Sequence, residues 1–148
     1  TRVEDLLARG LAGGGEIAAG GHRVADSPGY FFAPTLVVDL PETSPLLQEE
    51  VFGPVIAMVP YDDVDDAVRI ANGTEFGLAG YVWSASTERA QSVARRLRTG
   101  MLGINGGMFT GADMPFGGRR SSGMGREWGV EGLEEFLDVQ TLAMRIPD

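Results

Sequence analysis

The chain has 148 residues, 43% of them apolar, and carries 12 basic and 21 acidic side chains for a net charge of -9. That length supports one globular domain with a core, and the acidic balance argues against nucleic acid or an anionic membrane as a partner. Without cysteine there is no disulfide or thiolate metal site, and the single His22 cannot build a histidine cluster, so no metal is expected.

In chain order, Val3, Leu6, Leu7 and Leu11 share one helical face, which Gly13, Gly14 and Gly15 end. This opening segment is charged and amphipathic, with neither a signal-peptide core nor a membrane span, which points to a cytoplasmic protein. A short apolar run at 16–19 leads through Gly20-Gly21 to FFAPTLVVD, where β-branched and aromatic residues predict an extended segment with Pro34 at its start. VIAMVPY then reads as a buried strand. It precedes a helix capped by Asp62 or Asp63, with Val64, Ala67, Val68 and Ala71 at helical spacing and Asn72-Gly73 as its stop. AGYVWS is a second strand, followed after Ser84 or Ser86 by a helix showing Ala90, Val93, Ala94 and Leu97 on one side and closed by Gly100; MLGIN is a third. Strands alternating with helices over short connections require crossovers, hence an α/β fold with a parallel-type layered sheet. A glycine-rich loop follows over 106–125. A helix is expected from Glu127 to about Leu137, with Val130, Leu133 and Glu134 at its spacing, and VQTLAMRI is expected as a closing strand.

Two short motifs can carry chemistry. In EEVFGP, 49–54, Gly53-Pro54 forces a turn, and Glu50 and Phe52, two apart in an extended segment, share one face. A carboxylate there can accept from both hydroxyls of a ribose, and an aromatic beside it can pack on a nicotinamide or its sugar. Glu49 and Glu50 equally suit solvated loop acids, and Phe52 a core side chain. In MPFGG, 114–118, the turn presents Phe116 at its apex, as the wall of an apolar tunnel or as a buried turn residue. Arg126 and Glu127 suit a structural role, holding the loop by ion pairing and hydrogen bonds at a helix start. Arg119 and Arg120 read as solvated surface, Asn105 as a residue that satisfies backbone groups, and His22 as a surface side chain. Ser122-Gly123-Met124-Gly125 lacks the third glycine and the preceding strand of a dinucleotide loop. Ser121 and Ser122 have no histidine nearby in sequence to serve as a base.

The strings GGHR with GYFFAPT, EEVFGP, NGTEFGLAGYVWS, and PFGG with SGMGRE, in this order and followed by the closing strand, resemble the aldehyde dehydrogenase superfamily. The resemblance implies the C-terminal part of that family's catalytic domain over 1–137, and an oligomerisation strand and tail over 138–148. It also implies oxidation of an aldehyde to a carboxylic acid through a cysteine thiohemiacetal, with NAD or NADP as coenzyme in the full-length enzyme. Glu50 matches the acid that holds the nicotinamide ribose and Phe52 the aromatic beside it. Phe116, with Phe109 and Thr110 of the loop NGGMFTGAD, matches the substrate tunnel. The family usually has lysine near Arg120, a departure that leaves this position without an implied role. No catalytic residue is expected in this chain, since the nucleophilic cysteine and the general-base glutamate belong upstream in the family. Alone, the chain is therefore expected to be inactive and to bind no coenzyme. The implied partners are a small-molecule aldehyde and further copies of the chain through the C-terminal strand. The alternative class is a non-catalytic, stand-alone interaction or oligomerisation module derived from the same fold, pairing edge to edge through that strand.

Overall fold

The computed structural model describes residues 1–25, 28–107 and 111–146, and the chain divides into two compact units, Thr1–Thr74 and Glu75–Asp148. The first unit opens with helix α1 (Arg2–Ala12), capped by Thr1 and Glu4 in a capping box, which satisfies backbone N–H groups that a helix start leaves without partners. Strand β1 (Glu16–Ala19) runs antiparallel to β2 (Thr35–Val38) with an irregularity between Ile17 and Ala19. A single turn of helix, α2 (Pro45–Gln48), has Ser44 at its N-cap and Pro45 in its first turn, where a missing N–H costs nothing. Strand β3 (Val55–Ala57) pairs in parallel with β2, giving the order β1-β2-β3. Helix α3 (Val64–Ala71) is capped by Asp63, the second of the two candidates in the sequence, whose carboxylate accepts from the Asp66 N–H, and it ends at the expected Asn72.

The core of this unit is Leu6, Leu7, Val37, Leu40 and Leu46, against which Leu11, Ile17, Phe32, Leu47, Val51, Val55 and Ala57 pack. It joins the buried face of α1 to the inner residues of β2. Gly20 is required where the chain leaves β1: its φ of 73 lies in the left-handed region, and a Cβ there would run into the Pro34 carbonyl. The strand expected over VIAMVPY is only three residues long and half-exposed, with Ile56 66% accessible, because β3 lies at the edge of its sheet.

In the second unit, β4 (Ala79–Val82) and β5 (Met101–Ile104) pair in parallel, in register from Ala79 opposite Met101 to Val82 opposite Ile104. Helix α4 (Thr87–Ala94), capped by Ser86, is the crossover between them and packs on both through the buried Ala90 and Ala94. Of the two crossovers expected from the sequence, the one from AGYVWS to MLGIN gives a parallel pair, whereas β3 takes β2 rather than β4 as its partner, and β2 also pairs antiparallel with β1. A 3-10 turn (Arg120–Ser122) and α5 (Gly129–Glu134) complete this unit. The last helix starts two residues later than expected, because Glu127 is held in a bridge with Phe116. Residues 138–146 form no strand. A strand exists only within a ladder, and no described residue pairs with this segment, whose Val139, Leu142, Met144 and Ile146 are at least 80% exposed. Among the described residues no helix is long and apolar enough to cross a membrane.

Surface ion pairs link segments of the first unit. Arg69 bridges Glu42 and Asp66, and Arg9 bridges Asp5 and Glu49. Hydrogen bonds from Arg69 hold the Glu42 and Asp66 carboxyls below their ordinary values, and those from Arg9 do the same for Glu49. A carboxyl lowered in the folded state stabilises at pH above its unfolded value, and that contribution is lost as pH falls through the folded one. The thermal midpoint should therefore drop on acidification through the carboxylate range. In Arg9→Met and Arg69→Met chains, both pairs being exposed, the drop should be smaller.

Candidate functional site

In the first unit the site is built on the turn that follows α2. Glu49 ends α2 with extended backbone, and its N–H donates to the Pro45 carbonyl. Val51 turns inward onto the core, while Glu50 and Phe52 on either side of it are exposed. Phe52 departs from the extended conformation expected of it, with a φ of 53 and its ring 85% exposed. A left-handed backbone is unfavourable for a bulky side chain and persists only where the surroundings dictate it. Here Gly53 and Pro54 follow at once, with the Pro54 carbonyl accepting from the Thr35 N–H at 2.8 Å and the Gly53 carbonyl from the Val55 N–H at 2.8 Å. Phe52 lines a cavity of about 250 Å³ with Arg2, Val3, Arg23, Tyr30 and Phe31. Arg2 donates to the Glu50 backbone carbonyl at 2.6 Å, and the exposed Glu50 carboxylate has no hydrogen-bond partner among the described residues. The first unit thus offers a free anionic acceptor, an exposed aromatic ring and a cavity walled by rings and guanidinium groups. A carboxylate can accept from a ribose diol and an exposed ring can pack on a planar heterocycle, so the chemistry of these two residues fits the contacts expected of them from the sequence.

In the second unit Phe116 exchanges both backbone hydrogen bonds with Glu127, at 2.7 and 2.8 Å. Its ring meets Trp128 at a centroid distance of 5.6 Å and an interplanar angle of 56°, a tilted arrangement within the range of favourable aromatic pairs. Both rings line a cavity of about 550 Å³ with Leu78, Met124, Arg126 and Phe136. Phe116 is thus half-buried at the wall of this cavity. The turn is anchored from below: a Cβ on Gly100 would run into the Gly117 carbonyl, so only glycine lets the two backbones approach. Arg126 makes no ion pair among the described residues; its Nη1 donates to the carbonyls of Gly118 and Gly125 at 2.9 and 2.6 Å. Carbonyls that a glycine-rich turn leaves without a ladder are what a guanidinium can satisfy.

Arg120 is exposed, yet its Nη2 donates to the Phe76 carbonyl at 2.7 Å. Ser121 Oγ donates to the Glu75 carboxylate at 2.8 Å, and Ser122 Oγ accepts from the Gly77 N–H at 2.9 Å. The RRSS segment is therefore a tether to 75–77 rather than a solvated face. Asn105 closes a two-bond bridge to the Ser84 backbone, accepting at 2.7 Å and donating at 2.9 Å, the backbone-satisfying role expected of it. Phe109 and Thr110, with Met108, lie outside the described residues. Trp128 is the residue that sequence reasoning missed. Its place directly after SGMGRE was the available signal in the sequence; its left-handed backbone, with a φ of 63, was not.

The model of the aldehyde dehydrogenase family matches residues 1–142, and the chain belongs to that family. It is 43% identical over 145 residues to 3-succinoylsemialdehyde-pyridine dehydrogenase of a Pseudomonas species, an alignment covering 95% of this chain and 30% of that protein. The crystal structure of a Mycobacterium tuberculosis aldehyde dehydrogenase complexed with NAD+ superposes with a TM-score of 0.87 at 42% identity, over 91% of this chain and 28% of that one. Betaine aldehyde dehydrogenase of Staphylococcus aureus, also in complex with NAD+, gives 0.86 at 39% identity, over 91% and 27%. The chain spans about 30% of the length of the curated relative it matches.

Proposed function

We propose that this chain is the C-terminal part of an NAD(P)-dependent aldehyde dehydrogenase, with 1–137 belonging to the catalytic domain and 138–148 to a segment through which copies associate. The observation that carries this reading is the family match over almost the whole chain, joined to a coverage of only 30% of the relative. In the whole enzyme the coenzyme supplies the hydride acceptor. Glu50 would accept from the nicotinamide ribose hydroxyls, and Phe52 would pack beside the ring they carry. The NAD+ held by two of the solved relatives supports that coenzyme class. Phe116 and Trp128 would form one apolar side of the aldehyde's approach, together with the expected Phe109 and Thr110. The nucleophile is a cysteine thiolate, which a chain with no cysteine does not supply.

The pure 148-residue chain should form no NADH when given NAD and an aldehyde, followed by absorbance of the reduced coenzyme. Aldehyde-dependent NADH formation at a rate proportional to chain concentration would overturn the proposal. The second reading, a stand-alone association module, draws on the exposed apolar residues of 138–146. It requires the isolated chain to sediment as one defined oligomer, and a monomer or a distribution without defined stoichiometry would remove it.

A further inference from the structure

We propose that Arg2 and Arg9 of α1 are positioning residues that clamp the 49–53 turn and so fix the direction in which Glu50 and Phe52 are presented. The proposal rests on the reading of those two residues as coenzyme contacts. Arg9 holds the Glu49 carboxylate with both terminal nitrogens, Nη1 to Oε1 at 2.7 Å and Nη2 to Oε2 at 3.0 Å. Such a paired contact fixes orientation as well as distance. Its Nε donates to Asp5 at 3.0 Å, so the guanidinium plane is itself held from within the helix. Seven residues earlier, on the same face of α1, Arg2 Nη2 donates to the Glu50 carbonyl at 2.6 Å. Between them Val3 lies against Gly53, so closely that a Cβ on Gly53 would stand 2.6 Å from Val3 Cγ2.

Three contacts thus run along one helix and take hold of the turn at its first, second and last residues. From inside, Val51 is seated on the core to which Leu6 and Leu7 of the same helix belong. What remains outside this grip is the Glu50 carboxylate and the Phe52 ring. An exposed ion pair adds little to global stability. A left-handed phenylalanine, however, needs surroundings that leave it no alternative, and these contacts provide them. Sequence offered no hint of the clamp, since its partners stand 40 and 48 residues apart.

The test uses the 148-residue chain in solution, by nuclear magnetic resonance, and needs no coenzyme. Arg2→Met/Arg9→Met should move the Phe52 amide-to-α-proton coupling toward the extended value. It should also speed amide exchange at Glu49 and Val55 by about two- to fivefold, the span of an exposed ion pair's contribution. Amides of the β1–β2 ladder should keep their rates, which separates release of the turn from general destabilisation. Arg9→Lys should restore part of the effect of Arg9→Met, and Arg9→Glu joined with Glu49→Arg most of it. An unchanged Phe52 coupling in the double variant, or no recovery in the charge-exchanged pair, would overturn the proposal. If the coenzyme reading is wrong, these observables still respond, and that failure registers instead as unaltered NAD kinetics on substituting Glu50.

Discussion

In an aldehyde dehydrogenase carrying this segment, Glu50→Ala should lower kcat/KM for the coenzyme by about ten- to a hundredfold, the loss of charge-assisted hydrogen bonds of about 1.5–3 kcal/mol. Glu50 is exposed, its backbone carbonyl is occupied by Arg2, and its side chain has no hydrogen-bond partner among the described residues. Removing it therefore breaks no hydrogen bond or ion pair among the described residues, and a loss of activity in a chain of unchanged stability reports on a ligand. Glu50→Gln retains one acceptor oxygen but not the charge, and should fall between wild type and Glu50→Ala. Steady-state rates against coenzyme concentration at saturating aldehyde would check both. Equal kcat/KM in all three proteins would remove the assignment. A loss confined to kcat would move Glu50 from coenzyme binding to the chemical step.

The parts of the fold legible in the sequence are those fixed by local rules. Asp63 and Ser86, each one of two candidates in the sequence, cap their helices, because a side-chain oxygen at a helix start accepts from the N–H three residues on, here of Asp66 and Arg89. The β4-α4-β5 crossover follows from alternating patterns and short connections. What was not legible depends on partners distant in sequence. The pairing of β1 with β2 closes over a long intervening loop, and nothing in either strand names the other. The left-handed backbones of Phe52 and Trp128 break the usual preference of aromatic residues, so a local reading predicts extended or helical chain there. Both lie at the candidate sites, where local preference is most often overridden. The closing VQTLAMRI segment has strand-forming residues but no ladder among the described residues, and propensity without a partner does not make a strand. Glu50, Phe52 and Phe116 were legible as types in a motif. Their mounting on Val51, α1, Gly100 and Trp128 was not.

Leu6→Ala should destabilise the chain by about 2–5 kcal/mol, the range for emptying a fully enclosed leucine site. Leu6 is 1% exposed and belongs to the cluster of Leu7, Val37, Leu40 and Leu46 that joins α1 to β2. A domain of ordinary stability, about 5–15 kcal/mol, would lose a large share of its margin. Chemical denaturation would read this as a lower midpoint with an unchanged slope. Leu133→Ala, at a position 61% exposed, is the comparison and should stay within about 0.5 kcal/mol of wild type. The effect should also reach the candidate site, because Val51 packs on the same cluster and is the one residue of the Glu50-Val51-Phe52 triplet that faces inward. A cavity in the cluster on which Val51 packs lets Val51 shift, and the two side chains flanking it should turn with the backbone. Amide exchange at Val55 should then rise in Leu6→Ala together with that of the β1–β2 ladder, whereas loss of the α1 arginines should free the turn alone. The two patterns separate what holds the first unit together from what aims its exposed carboxylate and ring.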